Sequence, residues 1–288
     1  MKKTASMNWL NALHATVNQG QACVLVTITD VEGSSPREVG SRMLVSVDDV
    51  SDTIGGGALE FQAIEHSRTL LRLASAKPVI ESTQVVLGSD LSQCCGGKVS
   101  LNYEYHPACT FNLVVFGAGH VAQSIATIVQ QLPCRAQFID SRAEWLEKLP
   151  ETSNGYEKLS TSLLGDNPFL AVERCPDNAY FLVMTHSHEL DYDLVEAILS
   201  RGDSAYCGLI ASKSKAVRFK TRLRSKGFTD IELSKLTAPI GKQEHVGKLP
   251  MEIAIATVSE ILTLHRELQQ QRSAGRPLPI PGSTLSNN

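Results

Sequence analysis

Nothing constrains the fold of this chain more than the turn Gly117-Ala118-Gly119-His120-Val121-Ala122. It follows an apolar, β-branched run, Asn112 to Phe116, and opens a helical pattern that reaches about Leu132. A second apolar run, Ala136 to Asp140, comes next and ends on a carboxylate. In that setting G-x-G-x-x-A is the first βαβ turn of a Rossmann-type sheet. Gly117 permits the tight turn, Gly119 lets backbone amides approach a phosphate, and Ala122 lets the helix pack closely on the strand. The helix start at His120 then offers free N–H groups and a partial positive charge to an anion. Asp140 is placed to accept a hydrogen bond from a ribose or other hydroxyl.

The pattern continues downstream. Apolar strands are predicted over Ala179 to Thr185 and Ala205 to Ile210. Helices are predicted at about Asp191 to Leu199, Lys213 to Lys226 and Met251 to Gln270. Strands alternating with helices argue for a parallel sheet covered on both faces. Upstream the order differs. A short helix (Asn8 to Gln19) precedes strands at Ala22 to Thr29 and Ser41 to Val47, and a helix runs from about Ala58 to Ala74. Strands at Val79 to Leu87 and Lys98 to Tyr105 follow. The fold class is therefore α/β, a Rossmann-like parallel-sheet C-terminal domain (110–270) with a smaller α+β N-terminal domain (1–109). The segment 271–288, with Pro277, Pro279, Pro281 and several Ser, Gly and Asn residues, is expected to be a disordered tail.

Composition limits the partners. The formal net charge of −3 gives no global basic field for nucleic acid or an anionic membrane. No stretch approaches the roughly 18 to 20 apolar residues needed to span a bilayer, and Ser6 to Asn11 is too polar for a secretory h-region. Seven scattered cysteines do not form a disulfide framework, so a cytoplasmic protein is expected.

Several further constellations carry chemistry. Thr185-His186-Ser187-His188-Glu189-Leu190-Asp191 ends a predicted parallel strand, where loops line a ligand crevice. His186, His188 and Asp191 are candidates for ligand contact or, less simply, for a metal; Thr185 and Asp191 could instead cap the next helix. Ser212 is placed to cap the helix that follows Ile210, with Lys213 and Lys215 near an anionic ligand. Lys215, Arg218 and Arg222 share a helical face; a solvated face is the simpler reading and an acidic partner protein the functional one. In the first unit, Gly55-Gly56-Gly57 before a helix makes an amide-rich concavity suited to an anion. A thiolate at Cys94 or Cys95, beside Gly96-Gly97, would be a soft metal ligand or a nucleophile.

Taken in order, these motifs are specific. Gly33-Ser34-Ser35-Pro36-Arg37, Ile54-Gly55-Gly56-Gly57-Ala58-Leu59-Glu60 and Cys95-Gly96-Gly97 precede the Gly117 turn. Asp140-Ser141-Arg142, the Thr185 to Tyr192 segment, Gly208 to Lys213, Ala238-Pro239-Ile240-Gly241 and Pro250 to Ala254 follow it. The series closely resembles the XdhC/CoxI family of xanthine dehydrogenase accessory proteins, from about Val24 to Glu260. The resemblance implies a binding protein without turnover. It would hold the molybdenum cofactor (molybdopterin), protect it during sulfuration, and insert it into apo-xanthine dehydrogenase or a related molybdenum hydroxylase. A cysteine desulfurase is the second implied partner. Arg37, Gly55, Gly56, Gly57, Gly117, Gly119, His120, Ala122, Asp140, Arg142, Thr185, His186, His188, Asp191, Ser212 and Lys213 are then the candidate cofactor-binding residues, with Cys95 and its alternate Cys94 toward molybdenum. Pro133-Cys134 and the segment Leu146 to Gly155 depart from the family pattern.

The competing reading is an NAD(P)-dependent oxidoreductase using the Gly117 fingerprint and Asp140, with His186 or His188 as acid or base. A purely bridging assembly factor is a third. The long apolar-rich helix Met251 to Leu268 offers either a homodimer contact or a cover for the sheet.

Overall fold

The computed structural model describes residues 8–73, 77–87, 97–150, 159–241 and 247–273. The chain divides into two compact units, Met1–Cys109 and Thr110–Asn288.

The first unit is built on an antiparallel sheet. Its strands are β1 (Cys23–Glu32), β2 (Arg42–Val45), β3 (Val50–Asp52), β4 (Val79–Val86) and β5 (Lys98–His106), in the order β3-β2-β1-β5-β4. The unbroken apolar run of β1 reflects burial on both faces. Val24, Val26 and Ile28 share a core with Leu59, Ala63, Leu70 and Leu71 of helix α2 (Gly57–Leu73), whereas Cys23 and Leu25 meet Ala12, Trp9 and Leu13 of helix α1 (Trp9–Asn18). The predicted helix from Asn8 opens one residue later, because Asn8 is the N-cap and its side chain accepts from the Asn11 amide. Strand β3 was not expected. Its three residues are too short and too exposed to give an apolar pattern.

The second unit is a parallel sheet of β6 (Asn112–Phe116), β7 (Arg135–Asp140), β8 (Leu159–Leu163), β9 (Tyr180–Val183), β10 (Tyr206–Leu209) and β11 (Leu236–Thr237). Their spatial order, β11-β10-β9-β6-β7-β8, is the doubly wound Rossmann order 3-2-1-4-5-6 read from the other edge. Phe116, Phe181, Val183 and Leu209 are fully buried, as the apolar strand runs require. Helices flank the sheet: α3 (His120–Val129), α4 (Ala143–Leu146), α5 (Pro168–Glu173), α6 (His188–Arg201), α7 (Lys213–Ser225), α8 (Asp230–Ser234) and α9 (Pro250–Ser273). Helices α5, α6 and α7 share one core with the strands, and α3 packs against α9. Helix α9 continues through Ser273, so residues 271–273 are helical rather than part of a tail; residues 274–288 lie outside those described. Strand β8 is a polar edge strand, Leu-Ser-Thr-Ser-Leu, whose sequence has no apolar run to announce it.

Reversal of the strand order between β6 and β9 places a crevice at their carboxyl ends. The loops after these two strands are the Gly117 turn and the Thr185 segment.

Candidate functional site

The Gly117 turn is held in place by backbone on both sides. The Gly117 amide donates to Ile139 O at 2.7 Å, and the Met184 amide donates to Phe116 O at 2.8 Å. Gly117 has φ +115°, a conformation L side chains rarely adopt, and a Cβ there would lie 2.4 Å from Met184 O. Gly119 is different. It is the N-cap of α3 with an ordinary φ of −67°, and a Cβ would meet nothing within 4 Å. No side chain caps α3. Its first-turn amides therefore face the carboxyl edge of the sheet as donors available to an anion. Ala122 is fully buried, which lets α3 lie close on the sheet.

Asp140 is placed otherwise than the sequence suggested. Its carboxylate is 3% exposed and accepts from the Ala118 amide at 2.8 Å, from the Arg142 amide at 3.0 Å, and from Arg142 Nε and Nη2 at 2.9 Å each. Burial acts to raise this carboxyl, but the Arg142 guanidinium and the two backbone amides outweigh it and hold the group below the usual carboxylate range. Asp140 thus braces the turn from behind, with its oxygens engaged within the protein. Arg142 stacks over Trp145 at 5.0 Å, Lys148 Nζ lies 4.3 Å from the same ring, and His120 meets it edge to face at 5.3 Å. Within this group His120 and Arg142 stand in sequence motifs, whereas Trp145 and Lys148 belong to none.

The Thr185 segment is organised by a buried ion pair. Asp191, 1% exposed, accepts from the Thr185 amide at 2.9 Å and from Thr185 Oγ1 at 2.7 Å through Oδ1. Its other oxygen takes Lys215 Nζ at 2.6 Å. Lys215 also donates to Ile210 O at 3.2 Å, so one ammonium ties the end of β10 to the loop after β9. Ser187, not Thr185 or Asp191, is the N-cap of α6, and Ser212 caps α7 by accepting from the Lys215 amide at 3.1 Å. Thr185, His188, Ser212, Ser214, Lys215 and Arg218 line an open cleft of 540 Å³ together with Ile210 and Ala211. His188 is exposed on it, and His186 and Lys213 are exposed but do not line it. Among the described residues no group of three or more His, Cys, Asp or Glu side chains could hold a metal ion.

In the first unit the separate glycine motifs converge. A Cβ on Gly97 would lie 2.1 Å from Ser34 O, and one on Gly55 would lie 2.8 Å from the Pro36 ring and 3.3 Å from Arg37 Cγ. Gly33-Ser34-Ser35-Pro36-Arg37, the Gly55 triplet and Gly97 therefore form one loop cluster, with Arg37 exposed on it. The amide concavity at the triplet holds a carboxylate from the chain itself. Glu60 Oε2 accepts from the Ile54 amide at 3.1 Å, from the Gly56 amide at 3.0 Å and from the Thr53 hydroxyl. Glu60 stood in the quoted motif, but nothing in its spacing marked it as the occupant. Cys94, Cys95 and Gly96 lie outside the described residues. Burial raises the Cys23 and Cys175 thiols to about 11 and the Cys207 thiol to about 12, so these three stay protonated near neutral pH.

Family comparison agrees with both units. A family model described as the XdhC Rossmann domain matches residues 113–261, and one described as the XdhC and CoxI family matches residues 16–82. The chain belongs to the XdhC/CoxI family. Among curated proteins, the uncharacterized protein YqeB of Escherichia coli is 34% identical over 246 residues, which is 83% of this chain and 42% of YqeB. The chain thus spans about two fifths of the length of that relative. A solved structure from Bacillus halodurans, described as a xanthine dehydrogenase, aligns with 92% of this chain and 98% of its own at 19% identity and a TM-score of 0.46. No described helix is long and apolar enough to cross a membrane.

Proposed function

We propose that this XdhC/CoxI chain is a xanthine dehydrogenase accessory protein that binds molybdenum cofactor as cargo, supports its sulfuration with a cysteine desulfurase, and delivers it to the apo-hydroxylase. Family membership supports the accessory role. The observation that carries the cargo reading is the uncapped start of α3 beside the Gly117 turn, an anion seat suited to the phosphate of molybdopterin or the pyrophosphate of its dinucleotide form. Gly119 and His120 would take the phosphate, while Gly117, its amide held by Ile139 O, shapes the turn. Arg142 is paired with Asp140, so Lys148 over the Trp145 ring is the cation nearer to hand. Across the crevice Thr185, His186, His188, Ser212 and Lys213 would meet the pterin's donors and acceptors. Asp140 and Asp191 would act one layer back, through the Gly117 turn and Lys215 respectively. The first unit enters this reading separately, through Cys95 or Cys94 as a soft sulfur donor to molybdenum. NAD is the poorer fit, because the Asp140 carboxylate that would accept its ribose hydroxyl is already saturated by protein donors.

The test is anaerobic purification from a host that makes the cofactor, with mass spectrometry of bound pterin, metal analysis for molybdenum, and parallel assay of NAD(P)H turnover. Near-stoichiometric pterin is the expected result. Absence of pterin together with nicotinamide-dependent turnover overturns the reading. Cys95→Ala or Cys94→Ala with undiminished molybdenum and pterin content removes the thiolate role.

A further inference from the structure

The solvent face of α7 differs chemically from the rest of the chain. Its 13 residues carry six basic side chains and no acidic one, in a protein of formal net charge −3. Part of that charge is used internally. Lys215 is bound to Asp191, Arg224 to Asp230 at 2.5 Å, and the Arg222 guanidinium lies 3.8 Å from the ring centre of buried Tyr192. Lys213 and Arg218 make no ion pair among the described residues. Between them Val217 is 66% exposed. A shallow groove of 740 Å³ runs along this stripe, lined by Lys213, Val217, Arg218, Thr221, Arg222 and Ser225 with Ser214. These positions recur at three and four residues, so they form one face over three helical turns. The groove adjoins the crevice, because Ser214 and Arg218 line both.

A solvated helix face ordinarily mixes charges of both signs at i and i+4, and this one has no acid to mix. An apolar and hydroxyl centre (Val217, Thr221) rimmed by cations is the anatomy of a protein interface. A nucleic-acid backbone rewards the cations alone and gains nothing from Val217. We propose that this face of α7 is a docking surface for an acidic protein segment. On the cofactor-delivery reading above, that segment belongs to the acceptor enzyme and brings its cofactor entrance beside the Thr185 cleft.

The experiment titrates the full-length protein against purified apo-xanthine dehydrogenase, prepared from a strain unable to make molybdopterin, by biolayer interferometry at several salt concentrations. Wild type should bind, and its affinity should fall about tenfold or more from low to physiological salt. Val217→Glu with Thr221→Glu, neither of which lines the cleft, should weaken binding about tenfold or more while pterin content stays at the wild-type level. Ser225→Glu and the wild-type salt slope carry the test if the double variant does not fold. Binding unchanged within about twofold in the variants, a salt-independent wild type, no binding at all, or tighter binding to a short duplex DNA each overturns the proposal. The two readings fail separately: a protein without pterin whose docking still depends on the stripe removes only the cargo role, and a loaded protein indifferent to the stripe substitutions removes only the docking face.

Discussion

Gly117 and Gly119 stand two residues apart in one turn and should respond to the same substitution to very different degrees. Gly117→Ala forces an alanine into φ +115°, which costs about 1–3 kcal/mol. It also drives a Cβ to 2.4 Å from Met184 O and 2.8 Å from Met184 C, both backbone atoms of the neighbouring loop. Overpacking of that kind adds about 1–3 kcal/mol. The sum, about 2–6 kcal/mol, is a large share of the roughly 5–15 kcal/mol that stabilises a domain. With an m-value of about 2 kcal/mol/M in urea, the unfolding midpoint should fall by about 1–3 M. Gly119→Ala meets open space at an ordinary φ, so its cost is that of a poorer N-cap, under about 1 kcal/mol. Trp145 lies beside the turn, and in a Trp9→Phe background its fluorescence reports unfolding of this unit alone. The stability profile is then set against pterin content. Gly119→Val should keep its stability and lose ligand, whereas Gly117→Ala should lose stability. A Gly117→Ala protein with the wild-type midpoint would refute the steric reasoning, and a fully loaded Gly119→Val protein would remove the anion seat from this turn.

Three further outcomes follow from the same geometry. Asp191→Asn and Lys215→Met should each destabilise by about 3–5 kcal/mol, since each strands a buried charge or its partner, and a double-mutant cycle by urea unfolding should show the double variant losing far less than their sum. Asp140 has a folded-state pKa depressed below its unfolded value, so its contribution is complete above the unfolded pKa and is lost as pH falls through the folded one. Wild type and Asp140→Asn should therefore differ in unfolding free energy at neutral pH and converge in acid; parallel curves at all pH values contradict this. Glu60→Gln replaces a carboxylate oxygen that accepts from the Ile54 and Gly56 amides and should cost about 1–3 kcal/mol, read as faster amide exchange in residues 53–57 with α6 and α7 unchanged.

The legible parts of this chain were those where one local pattern had one physical solution. Buried parallel strands must be apolar throughout, so β6, β7, β9 and β10 were read within a residue or two of their ends. The Gly117 turn announced itself because only glycine tolerates its backbone. Polar β8 and the two-residue β11 carried no such pattern, and they complete the sheet only because β7 and β10 are already there to pair with them. Within the site, residue types were legible and their partners were not. Asp140 reads the same whether it faces a ribose or Arg142, and Lys215 the same whether it faces a phosphate or Asp191. For Lys215 the partner is 24 positions away, and for Asp140 the Arg142 side chain two positions on can turn toward the carboxylate or away from it, so neither choice is encoded in the spacing. The Glu60 carboxylate in the triglycine loop is the same lesson inside one motif.

Bracing of the Gly117 turn by Asp140, through the Ala118 amide and Arg142, also bears on how cargo would leave. Sites completed by their ligand collapse when it departs, and release must then drag a structural change behind it. Here the wall of the seat is finished by the chain's own carboxylate. On the delivery reading, the seat would keep its shape through loading and unloading, and departure would be governed by competition from the acceptor rather than by melting of the carrier.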